Sequence, residues 1–155
     1  MNSKSSTLAL LTSKLYDETT FYHKFTQDLL QAKIEVIIES PFISSKRMAY
    51  LRPVLSKILK RGVKIYIFTR DPLEHETQMA YQSEAEISRF ERIGIQTFIC
   101  AGNHHRKLAI LDREVLWEGS LNILSQAHSR EVMRRIQGIE FAVGMFKFLN
   151  FKRFI

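Results

Sequence analysis

A chain of 155 residues is long enough to bury a real core, and a second domain of ordinary size is not expected. With 45% hydrophobic and 25% charged residues and only 6 Gly and 3 Pro, it falls outside the disordered, fibrous and low-complexity classes, and its one cysteine, Cys100, excludes an internal disulfide. A formal net charge of +7 and a sequence pI of about 9.7 favour a polyanionic partner, nucleic acid or an acidic lipid surface, without choosing between them.

Residues 1–18 read as a polar N-terminal tail. Their apolar run, Leu8 to Leu11, is shorter than a secretory core, and no run approaches the ~20 residues of a membrane span, so a cytoplasmic location is expected. From Thr19 to Gln31, Phe21, Phe25, Leu29 and Leu30 recur at helical spacing. Ile34 to Glu39 is a β-branched run closed by Ser40-Pro41, hence a buried strand. A helix over Lys46 to Lys60, a strand over Lys64 to Thr69, an acidic helix over Glu74 to Ile93 capped by Gly94, and a strand over Ile95 to Ile99 follow. This αβαβαβ order predicts an α/β layered domain over 19–155, its mixed, largely parallel sheet flanked by helices on both faces. After Gly102 the texture changes to a tight hairpin, Arg106 to Asp112 and Glu114 to Glu118, with Trp117 in the core. A polar loop over Ser125 to Ser129, a strand over Glu131 to Ile136 and a helix over Gln137 to Leu149 complete the chain.

Across that hairpin run His105, Lys107, Asp112, Gly119, Ser120 and Asn122, in the pattern H-x-K-x4-D-x6-G-S-x-N. At average residue usage a chance match of six fixed positions in so short a chain is on the order of one in a million, so the spacing is a signal. Residues two apart on an extended chain project the same way, which aims His105 and Lys107 at one point. Ser120 and Asn122 repeat the arrangement beyond the next strand, and Gly119 leaves room for close backbone approach. An imidazole, an ammonium, a hydroxyl and an amide around one point make a phosphate-sized set.

The pattern resembles the signature of the phospholipase D superfamily, with every fixed position present. One copy rather than two makes the chain similar to the small EDTA-resistant bacterial endonucleases of that superfamily, which act as homodimers with both motifs meeting at the two-fold axis. More weakly, Thr69 to Pro72 and Ser129 to Ile136 resemble phospholipase-D-like nuclease modules found with DNA helicases. The resemblance implies a phospholipase-D-like layered fold and a phosphodiesterase, most simply a DNA endonuclease working without a metal or other cofactor. His105 would form a phosphohistidine while the His105 of a second copy protonates the leaving oxygen. Lys107, Asn122 and Ser120 would hold the non-bridging oxygens. The implied partners are nucleic acid, DNA ahead of RNA, and a second copy of the chain, with no membrane. A helicase or other DNA-processing protein stays open as a further partner. A lipid phosphodiesterase and a DNA-binding module with a vestigial site are the competing functions.

An imidazole nucleophile needs a carboxylate to orient it, and Glu131 is the candidate, although the endonucleases place their glutamate somewhat further on. Asp112 belongs to the signature either as chemistry or as a brace for the hairpin. Between Lys46 and Arg70 lie eight basic residues and no acidic one. From this run Lys46, Arg47, Arg52 and Arg70, together with Arg106, are candidates to contact a nucleic-acid backbone, the alternative being a solvated face. Cys100 is expected to be structural. Five phenylalanines between 141 and 155 exceed the needs of one helix face and predict a covered patch, a dimer interface or docking surface.

Overall fold

The computed structural model describes residues 3–155. Its elements in order are α1 (Ser3–Leu11), β1 (Lys14–Asp17), α2 (Phe21–Gln31), β2 (Glu35–Glu39), α3 (Ser45–Lys60), β3 (Lys64–Arg70), α4 (Thr77–Ile93), β4 (Gln96–Cys100), β5 (Leu108–Leu111), β6 (Val115–Gly119), β7 (Val132–Gln137) and α5 (Ile139–Phe148). The seven strands form one sheet in the order β1-β7-β6-β5-β2-β3-β4.

The apolar strand Glu35–Glu39 is buried along its whole length because it lies inside the sheet with a core on each face. Val36 and Ile38 point into a cluster with Phe25 and Leu29 of α2, Leu51 and Leu55 of α3, and Phe90 of α4. Ile37 points the other way, toward Ala142 and Phe146 of α5 and Phe151 beyond it. Helices therefore cover both faces of a mixed sheet, as the αβ alternation predicts. The sheet is less parallel than that alternation implies. Helical crossovers make β2-β3 and β3-β4 parallel, whereas β5, β6 and β7 follow without intervening helices, and the pairs β2-β5, β5-β6, β6-β7 and β1-β7 are antiparallel.

The expected tail over residues 1–18 is corrected across its described part. Residues 3–11 are helical with no buried side chain, and Lys14–Asp17 adds an edge strand against β7. Four residues reading KLYD are too few to show a period, and the partner that makes them a strand lies more than a hundred residues away. Tyr16 packs against fully buried Trp117, ring centroids 5.0 Å apart, and the Trp117 indole N–H donates to buried Asp28 at 2.8 Å.

Register brings the functional end of the sheet together. Glu39 pairs with Leu108, Leu108 with Glu118, and Gly119 with Met133, so the C-terminal ends of β2 and β6 and the N-terminal ends of β5 and β7 share one edge. Among the described residues no helix is long and apolar enough to cross a membrane.

Candidate active site

Residues 104–107 form an unpaired segment that enters β5 at this edge. Lys107 Nζ lies 2.7 Å from His105 Nδ1 and donates to the His105 carbonyl at 2.5 Å, so both side chains point to one side. An ammonium only donates, which makes Nδ1 the acceptor and leaves the proton of the neutral ring on Nε2. Phe42 sets its ring edgewise to His105, centroids 6.1 Å apart, and His75 packs on Phe42 in turn.

At the end of β6, a Cβ on Gly119 would run into the Val132 carbonyl and the Met133 backbone, so only glycine lets β7 approach this closely. Ser120 Oγ accepts from the Val132 amide at 3.0 Å, which locks the loop to the start of β7. The Asn122 side-chain oxygen is buried without a hydrogen-bond partner. Asn122 also anchors the following turn, its main-chain carbonyl accepting from the Ser125 and Gln126 amides.

His105, Lys107, Ser120, Asn122 and Glu131 all line one cleft of about 950 Å³. Burial first, then the neighbouring charges of Lys107 and Arg70, holds the His105 imidazole below its ordinary range and so favours the neutral ring. Partial burial also lowers Lys107, against the opposing effect of the Glu131 carboxylate. Glu131 therefore sits within electrostatic reach of Lys107, while Nδ1 of His105 accepts from Lys107 and neither ring nitrogen reaches a carboxylate among the described residues. The Glu131 backbone is held by Glu18, whose carboxylate accepts its amide at 2.9 Å. Exposed apolar side chains of Leu15, Val132 and Phe148 border the same cleft.

Asp112 is elsewhere. It stands at the opposite end of β5, roughly 17 Å along the chain from Lys107 at strand rise. Its φ is +52°, and its carboxylate accepts from the backbone amides of Lys33, Ile34 and Glu35 at 2.9, 2.8 and 3.0 Å. Of the two roles the sequence left open for it, chemistry or a brace, these bonds are those of a brace: Asp112 fastens the hairpin turn to the start of β2.

Four of the five basic candidates have intramolecular partners in the fold. Arg47 donates to the Gln126 carbonyl at 2.8 Å and lies 3.7 Å over the Tyr22 ring; Arg52 pairs with buried Glu86 at 2.8 Å. Arg70 pairs with Glu74 at 3.2 Å and bonds Asn103 Oδ1 at 2.6 Å, and Arg106 forks onto buried Glu39 at 2.7 and 2.9 Å. Of the five, Lys46 alone is exposed without such a partner among the described residues. Cys100 is half-buried, and burial pushes its thiol up, in keeping with an unreactive residue.

Sequence reasoning missed Glu39, Phe42 and Glu18 beside the site. Glu39 carried a visible signal, a charged residue closing an otherwise apolar buried strand; nothing marked the other two. No group of three or more His, Cys, Asp or Glu side chains among the described residues could hold a metal ion.

The model of the cardiolipin synthase phospholipase-D-like domain matches residues 25–143. None of the curated proteins compared matches the chain. Among solved structures, it is similar to Nuc from Salmonella typhimurium, a phospholipase D family member, at 16% identity and a TM-score of 0.71 over 88% of this chain and 90% of that one. It is also similar to NucT from Helicobacter pylori, at 16% identity and 0.65 over 88% and 92%. Phosphatidylserine synthase from Haemophilus influenzae Rd KW20 aligns at 14% identity and 0.64 over 92% of this chain and 38% of that one. A family match across most of the chain, over a sheet edge that gathers His105, Lys107, Ser120 and Asn122 into one cleft, means that the chain belongs to the phospholipase D superfamily, as one of its phosphodiesterases.

Proposed function

We propose that the protein is a DNA endonuclease whose active site is completed by a second copy of the chain. The observation that carries this reading is the cleft itself: Lys107, Ser120 and Asn122 surround one exposed imidazole, His105, where acid–base chemistry on both oxygens of a diester calls for two. A second copy seated on the exposed rim of Leu15, Val132 and Phe148 would cover apolar surface and bring its own His105 into the cleft. The bound phosphate draws Lys107 off Nδ1. His105 of one copy then attacks phosphorus, forming the P–N bond as the leaving oxygen departs with a proton from the partner's His105. In the second step that imidazole takes a proton from water, the water oxygen attacks phosphorus, the P–N bond breaks, and a phosphomonoester leaves. Lys107, Ser120 and Asn122 bear on the non-bridging oxygens, where the transition state carries its charge.

DNA is favoured over lipid by the net charge of +7, by the likeness to Nuc and NucT over about nine-tenths of their lengths, and by Arg134 in the cleft wall. The archaeal chromatin protein TrmBL2, whose structure shows a novel mode of DNA binding, shares the fold at a TM-score of 0.60 and 14% identity. The apolar rim supports a second reading, in which it receives an acyl chain and the substrate is a phospholipid. One experiment separates them: plasmid DNA and phosphatidylcholine vesicles are offered in excess EDTA to protein whose mass is measured by sedimentation. DNA cleavage by a dimer is expected. Cleavage of vesicles but not DNA would replace the nuclease by the lipid enzyme, and a monomer that cuts would overturn the shared site.

A further inference from the structure

Between His105 and Lys107 stands Arg106, whose guanidinium forks onto Glu39 at 2.7 and 2.9 Å. Glu39 is completely buried at the C-terminal end of β2, with Leu108 as its cross-strand partner, while Arg106 remains half-exposed. Strand pairing begins only at Leu108, so residues 104–107 have no ladder to hold them. Nor does His104 supply an anchor. Its Nε2 is buried without a hydrogen-bond partner and stands 3.8 Å from Glu39, beyond hydrogen-bond reach. A bidentate guanidinium–carboxylate pair fixes orientation as well as distance, and alternation along the chain transmits that orientation to the residues on either side.

We infer that Glu39 is a positioning residue of this phosphodiesterase: through Arg106 it sets the direction in which His105 and Lys107 enter the cleft. The inference rests on the phosphodiesterase site alone and is independent of whether DNA is the substrate. A purely structural ion pair would act on stability and leave the chemistry of folded molecules alone; a positioning pair acts on turnover.

The test is the Arg106→Ala variant, with bis(p-nitrophenyl) phosphate as a generic diester. A displaced nucleophile predicts that kcat falls about 30-fold while KM stays within about twofold. Because Arg106 lines the cleft, millimolar guanidinium chloride should enter the vacated position and restore kcat severalfold, where sodium chloride at equal ionic strength does not. Glu39→Gln, which keeps the shape and loses the charge, should lower kcat in the same sense, and the double variant should lose little more than Arg106→Ala alone. The NMR titration of His105 gives a readout that needs no turnover, and its midpoint should move in Arg106→Ala. An unchanged midpoint with kcat within twofold of wild type would overturn the inference. So would a loss that tracks the melting temperature and resists guanidinium. If the diester is untouched by the wild-type protein, the phosphodiesterase reading itself fails, and the titration still decides whether Arg106 orients His105.

Discussion

The two ends of β5 carry parts of one sequence pattern and do opposite things. At its start, His105 and Lys107 leave their polar atoms bonded only to each other and turned into a cleft. At its finish, five residues beyond Lys107, Asp112 gives its carboxylate to three backbone amides and faces a different part of the surface. The fixed K-x4-D interval is thus the length of a short central strand plus its turn. A signature residue can be set by what the fold must hold in place, and side-chain partners tell the two kinds apart.

The largest expected effect lies at the first end. His105→Ala should lower kcat on any diester by at least about 10³-fold, with the denaturation midpoint unchanged, since the side chain is exposed and packs little. Asp112→Ala should show the reverse. Three amides left unpaired cost about 2 kcal/mol, read in urea denaturation, while kcat per folded molecule stays within about threefold. A large kcat loss in folded Asp112→Ala would erase the contrast. The smallest effect concerns pH. The His105 ring must be unprotonated to attack, and its pKa is held down by burial, Lys107 and Arg70, so the acid limb of kcat/KM should fall below the usual imidazole range near 6.5. Arg70→Gln removes one of those charges, raises the His105 pKa and should move that limb to higher pH. A limb that stays put would remove Arg70 from the electrostatics of the site.

A second contrast concerns charge. The stretch from Lys46 to Arg70 reads as a basic track, yet Arg47, Arg52 and Arg70 are bound within the fold. Glu86, on the helix read as acidic, is completely buried and receives both Arg52 and Arg89. Net charge survives folding, whereas the availability of each individual charge depends on which oppositely charged residue the packing brings near, and that is not a local property of the chain.

What the sequence by itself determined is local or periodic. Helices α2 to α5, strands β2 to β7 and the convergence of His105, Lys107, Ser120 and Asn122 follow from apolar spacing and from side-chain alternation along extended backbone. Only the tertiary structure decided the rest, because each remaining feature depends on pairing between distant segments. β1 exists as a strand because β7 receives it, and the sheet turns antiparallel because β5 returns beside β2. Asp112 is a brace because the amides of residues 33–35 happen to face it, and Arg106 belongs to Glu39 because register sets Glu39 beside Leu108. A motif states which groups are present at an edge of the sheet. Which of them remain free to meet a phosphate is settled by the hydrogen bonds and ion pairs that folding has already claimed.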